Sequence, residues 1–214
     1  MWRDAYKARL KAEGSNIVEA VKQTTKNGNI QQILYSPTRS DVTVNDNEGL
    51  YPCIVSDMKT FQKRRFLFLP DTEINLGDYI YHEGYTYLAT DKTTSDTYPQ
   101  LIGDVCNAEF PISTEITKVL IDKDDRGRPI YNEQINLNNV PCTVNSYYFQ
   151  ANETRNLLVP EGKVVVGVQY RADHTVKLND EFDIHGVKYK VKDIDLTSLF
   201  NGKGVMNIIA EKVV

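Results

Sequence analysis

The stretch "LGDYIYHEGYTYLATD" (76–91) returns as "LNDEFDIHGVKYKVKD" (178–193), and the two agree at five of sixteen positions without a gap. Leu76, Asp78, Gly84, Tyr87 and Asp91 recur as Leu178, Asp180, Gly186, Tyr189 and Asp193, at a constant offset of 102. Average composition gives roughly one chance identity in such a stretch. A chain that repeats a segment of this kind must fold it twice, so one small architecture has to serve both halves.

Further markers recur in the same order. "PCIVS" (52–56) returns as "PCTVN" (141–145), "FQ" (61–62) at 149–150, "LFLPD" (67–71) as "LLVPE" (157–161), and "VCNA" (105–108) parallels "VMNI" (205–208). The offset drifts from 88 to 102, most of which a twelve-residue insertion between Pro160 and Leu178 would explain. The pattern reads as two homologous modules, about 51–112 and 140–214. The expected organisation is an N-terminal helical arm and extended segment over 1–50, a β module over 51–115, a connecting β-hairpin over 116–139 and a second β module over 140–214. At 214 residues, each module sits near the lower limit at which a single apolar core suffices.

The repeated segment encodes a tight hairpin. Phe182 and Ile184 alternate toward a turn at His185-Gly186, and Val187, Tyr189 and Val191 alternate away from it. Gly186 and its counterpart Gly84 supply the positive φ that the second position of a type I′ turn requires. The runs "RRFLFL", "VVVGVQY" and "VMNIIAEKVV" bring the expectation to about five strands per module, a mainly β fold of two tandem barrel-like units. Ahead of them, Trp2, Tyr6 and Leu10 recur at helical spacing, and Asn16 with Glu19 resembles a capping box, which predicts two short helices. "NGNIQQILYSPTRSDVTVNDNEG" reads as an extended arm around one strand-like run, and "ITKVLIDKDDRGRPIYNEQINL" as a protruding hairpin turning at 125–127.

No catalytic signature is present: no Gly-x-Ser-x-Gly, no phosphate-cradling glycine loop, no His-Glu-x-x-His. His82 and His185 sit at the hairpin tips and His174 in a loop, positions typical of solvated turn residues. Cys53 and Cys142 occupy equivalent strand-like sites and read as buried small apolar residues; with Cys106 they make an odd set without metal-ligand spacing, as expected in a reducing compartment. Asp78 and Asp180 read as turn residues that bond their own backbone. "DKDDRGRPIYNE" puts Asp122, Asp124, Gly127 and Glu133 at positions 1, 3, 6 and 12 of a calcium loop, but Arg126 stands where an oxygen ligand belongs. No metal or cofactor is expected. A net charge of -4 leaves Lys63, Arg64 and Arg65 as the one basic cluster for a single-stranded nucleic-acid face. The charged, aromatic N-terminus lacks the apolar core of a secretory signal, and no run approaches the length of a membrane span.

The N-terminal segment, "FLFLPDTEINLGDYIYHEGYTYLATDK" and then "YPQLIGDVCNAEF" resemble, over about residues 1–112, virion proteins of tailed bacteriophages from Gram-positive hosts, of the head-tail connector, head-completion or neck type. The hairpin "LNDEFDIHGVKYKV" is similar to the small Src-homology-3-type barrels of phage stopper and head-closure proteins, which also occur in tail and baseplate components. The resemblance implies a non-enzymatic ring subunit at the head-tail junction, found in the virion and, during assembly, in the host cytoplasm. Its expected partners are further copies of itself and portal, adaptor or tail subunits, with DNA passing nearby and no membrane. Trp2, Tyr6, Leu10, Lys63, Arg64, Arg65, Arg126 and Arg128 are the residues expected at partner interfaces. A tail or baseplate component and a single-stranded nucleic-acid-binding barrel are the alternatives.

Overall fold

A computed structural model describes residues 2–3, 17–93, 98–123, 128–146 and 162–213. The protein is mainly β, with 55% of its residues in strands. It divides into two compact units, Met1–Asp104 and Val105–Val214.

The first unit carries the helix α1 (Ile17–Leu34) and strands β1 (Arg39–Val44), β2 (Leu50–Asp57), β3 (Lys63–Phe68), β4 (Tyr79–His82), β5 (Tyr85–Thr93) and β6 (Gln100–Val105). The strands close into a barrel in the order β1-β2-β3-β6-β5-β4. The second unit has β7 (Ala108–Lys123), β8 (Pro129–Ser146), β9 (Lys163–Gln169), β10 (Glu181–Ile184), β11 (Val187–Asp195) and β12 (Val205–Lys212), ordered β10-β11-β12-β9-β8-β7. Read around the ring, the two orders are the same, with β7 to β12 standing for β1 to β6. The barrel-like, twofold architecture is therefore as expected, with six strands per unit and not five.

The repeated segment superposes bond for bond. Asp78 Oδ2 accepts from Asn75 N at 2.7 Å, and Asp180 Oδ2 accepts from Lys177 N at 2.8 Å. Gly77 N donates to Ala89 O at 2.8 Å and Asn179 N to Val191 O at 2.9 Å; Ala89 N and Val191 N donate back to Asp78 O and Asp180 O, each at 2.9 Å. Both tips are left-handed at both turn residues, Glu83 and Gly84 (φ 49° and 80°) and His185 and Gly186 (φ 52° and 78°), the type I′ geometry whose twist matches that of the flanking strands. The strands buried around these hairpins form the two cores. In the first unit Phe66 packs edge-on against Tyr87 at 5.3 Å, above Gly103, where an added Cβ would lie 2.9 Å from the Tyr87 Cβ. In the second, Phe110, Phe182, Val166, Val191 and Ile208 form the centre.

Four boundaries differ from the sequence reading. "NGNIQQIL" continues α1 instead of starting an arm: Thr24 and Thr25 hydroxyls bond back to Ala20 O and Val21 O, and Asn29 and Ile33 are buried, so tertiary packing outweighs the poor helix propensity of Asn27, Gly28 and Asn29. "DVTV" is not part of an arm but the core of β1, with Val42 and Val44 buried and its length paired to β2. The hairpin expected over 116–139 runs from Ala108 to Ser146 and is the first hairpin of the second unit, not a connector. Finally, the extra residues do not lie between Pro160 and Leu178, because that span holds the core strand β9. They precede it: five residues join β2 to β3, and sixteen join β8 to β9. It follows that "LLVPE" ends before the strand that corresponds to β3, and that "VCNA" ends β6 while "VMNI" opens β12.

At the closing seam the two units part. In the first, Thr43 pairs with Tyr81 and Val44 with Ile80. Asn45, tolerating φ 53°, donates its N to Tyr79 O at 2.7 Å and its Nδ2 to buried Asp78 Oδ1 at 2.9 Å, and its Oδ1 accepts from Tyr79 N at 2.9 Å. Ser40 faces Cys53 in β1–β2 as Ala108 faces Cys142 in β7–β8, so Pro111 stands in the place of Thr43 and Ser113 in that of Asn45. Proline has no N–H to give a ladder. There β7 and β10 are joined by the Phe110–Phe182 ring contact at 4.8 Å, and Thr175, in the loop between β9 and β10, donates its N to Ser113 O at 2.9 Å. The second barrel is nearly closed; the first is closed.

This difference predicts unequal costs for equal substitutions. Asp78→Ala removes the buried acceptor that joins β1 to β4 and is expected to destabilise the first unit by about 2–3 kcal/mol. Asp180→Ala removes an exposed turn bond and should cost under about 1 kcal/mol. Urea denaturation of the two variants checks this, and equal losses would contradict the seam's role.

Candidate interaction surface

The residues expected at interfaces fall into three places. Trp2 is 75% exposed, with the Arg3 guanidinium carbon 5.8 Å from its ring centroid. Tyr6, Leu10 and Arg126 lie outside the described residues. Arg128 is exposed, one residue before β8. Lys63, Arg64 and Arg65 lie along β3, where Lys63 Nζ is 3.3 Å from Asp104 and Arg64 is ion-paired with Asp57. Two of the three cations thus have carboxylate partners, and Phe66 and Phe68, the aromatic residues beside them, are fully buried and cannot stack bases. Phe61, two residues before β3, is exposed.

The calcium-loop spacing falls on strands. Asp122 pairs with Ile130 near the end of β7 and Glu133 faces Lys118 within β8, so a β-ribbon flanks the loop where a calcium hand has helices. Among the described residues no group of three or more His, Cys, Asp or Glu could hold a metal ion. His185 is exposed as expected, but His82 is not a solvated tip residue: its side chain turns inward, 9% exposed and edge-on to Phe66 at 6.2 Å. The even position of β4 that holds His82 lines the core, which outweighs proximity to the turn. His174 is half-buried, its Nδ1 lacks a partner among the described residues, and burial lowers its pKa.

Two features go beyond the sequence reading. One is the extent of the ribbon, expected as a protruding hairpin over 116–139. β7 and β8 pair from Ala108–Cys142 to Lys123–Pro129, with register shifts between Ser113 and Glu115 and between Leu120 and Asp122, while β8 meets β9 at Thr143–Ser146. The outer part of the ribbon has no other strand neighbour among the described residues, and its register opposes Ile116 to Ile135, Leu120 to Tyr131 and Lys118 to Glu133. A two-stranded ribbon is marginal alone in water, so an extension of this length is suited to contact with a partner. The other is a cavity of about 280 Å³ at the β7–β10 seam, walled by Phe110, Pro111, Leu137, Val176 and Phe182, with Lys177, Asp180 and Glu181 also lining it. Its signal was Pro111 in the register place of Thr43, visible only once β1 and β7 are known to be equivalent strands.

Cys53 and Cys142 are fully buried, and burial pushes both thiols up to about 12. Because the thiolate is the nucleophile, both are expected to resist alkylation at pH 8, where Cys106, partly accessible, is the one that reacts. Mass spectrometry should find at most one adduct on the native chain and three after denaturation. Rapid labelling of Cys53 or Cys142 in the native chain would contradict their burial.

No curated protein matches the chain. Residues 107–211, nearly all of the second unit, match the YomX C-terminal domain, a phage-associated family, and this suggests a phage protein.

Proposed function

We propose that the chain is a non-enzymatic structural subunit of a phage virion that forms a ring at the head-tail junction, between portal or adaptor and tail. The observation that carries the reading is the pairing of two copies of one barrel-like sheet with a long ribbon that no other strand among the described residues covers, one copy matching a phage-associated family. Fold alone hosts many functions, but small buried cores, buried thiols and a protruding ribbon suit assembly better than turnover. A ring needs rigid blocks and extensions that reach a neighbour through a heterologous contact. In this reading the protein resides in the virion, and in the host cytoplasm during assembly.

Phage particles made without this protein are expected to show filled heads and detached tails under negative stain. Intact particles that adsorb poorly would move the protein to the tail or baseplate. The nucleic-acid alternative is tested on the purified chain. A ligand that binds only the folded state must raise the melting temperature. With Lys63 and Arg64 already facing carboxylates on a net-acidic chain, neither millimolar calcium nor a short oligonucleotide at physiological salt should shift it. A salt-sensitive oligonucleotide shift, lost in Arg64→Ala/Arg65→Ala, would put nucleic-acid binding first.

A further inference from the structure

We propose that the seam cavity of the second unit is the docking site for the Trp2-Arg3 tip of a second copy of this chain. The inference deepens the ring reading and rests on it for its biological setting. Two independent features meet here. The first is a cavity that the chain's own duplication shows to be an opening: where Thr43 and Asn45 close the first barrel, Pro111 and Ser113 leave the side of β10 that faces away from β11 without a strand partner among the described residues. The second is an aromatic and a cation, Trp2 and Arg3, both exposed and held as a pair with the guanidinium 5.8 Å from the ring.

The chemistry of the two is complementary. Aromatic and aliphatic walls accept an indole, and Asp180 and Glu181 set two carboxylates against the one ammonium of Lys177, leaving the cavity net acidic for a guanidinium. Its volume of about 280 Å³ lies just under the roughly 300–1,000 Å³ typical of small-molecule and cofactor sites, which favours a side-chain anchor. Tryptophan and arginine are the residue types that most often carry interface energy when they enter such a pocket. Because tip and cavity are different surfaces, each copy can give one and receive one, the head-to-tail contact from which rings are built.

Trp2 is the sole tryptophan of the chain, so its fluorescence reports docking directly. The full-length protein is followed by sedimentation and Trp2 emission across a concentration series. Emission is expected to move to shorter wavelength as self-association proceeds. Trp2→Ala should weaken association by about thirtyfold. Arg3→Glu and Glu181→Lys should each weaken it by about fivefold, and the double variant, which swaps the charges, should recover it. All three residues are exposed, and far-UV circular dichroism confirms that the variants remain folded. Pro111→Thr/Ser113→Asn, which installs the first unit's seam residues, should close the cavity and abolish the Trp2 shift. Association unchanged in Trp2→Ala, no recovery in the charge swap, or a Trp2 shift independent of concentration would each overturn the proposal. If Trp2→Ala assembles as the wild type while particles lacking the protein still lose their tails, docking at the seam falls and the neck reading stands. If docking behaves as expected but the particles keep their tails, the neck reading falls alone.

Discussion

The ladder that joins the last strand of a ring to its first decides how each half of this chain is finished. A barrel removes strand edges only where that closure is made. In the first unit it is made by Thr43 and Val44 with Tyr81 and Ile80, and it is locked by Asn45, whose side chain bonds both Tyr79 and buried Asp78. A left-handed asparagine is one of the few non-glycine residues that can sit at this corner and also supply an amide to both neighbours. In the second unit a proline and a serine occupy the same register, and contact between two phenylalanine rings takes over part of the work of the backbone.

That substitution changes what the surface offers. Buried backbone groups that pair internally present nothing to a partner, whereas an incompletely closed seam leaves main-chain groups and an apolar cavity within reach of solvent. Charged residues on an edge strand discourage indiscriminate strand pairing, and β10 carries Glu181 and Asp183, both exposed. The two units therefore share a scaffold but not an accessible surface: one is finished within itself, and the other carries the seam cavity and the β7–β8 ribbon.

Charge follows the same division. Two of the three cations of the basic cluster on β3, Lys63 and Arg64, face Asp104 and Asp57 of the same unit. Surface pairs of this kind contribute little to stability, but they do remove the positive field that a polyanion would need. The thiols are similarly withdrawn: Cys53 and Cys142 fill equivalent core positions, each facing a small residue, Ser40 or Ala108, on the neighbouring strand.

The sequence alone determined the duplication, the mainly β class, the two type I′ hairpins and the structural roles of Asp78, Asp180, Cys53 and Cys142. All of these are local or strictly periodic, so alternation, a turn glycine and a constant offset encode them without knowledge of what packs against what. Tertiary structure decided the rest. Whether "NGNIQQIL" is helix or arm depended on the burial of Asn29 and Ile33, and the membership of β1 in the barrel depended on pairing with β2 and β4. His82 looked like a tip residue until its ring was placed against Phe66. The open seam was the least legible feature, because the missing N–H of Pro111 has meaning only opposite a strand some seventy residues away in the chain. Which backbone groups go unpaired is a property of the closed ring, and no window of sequence contains the ring.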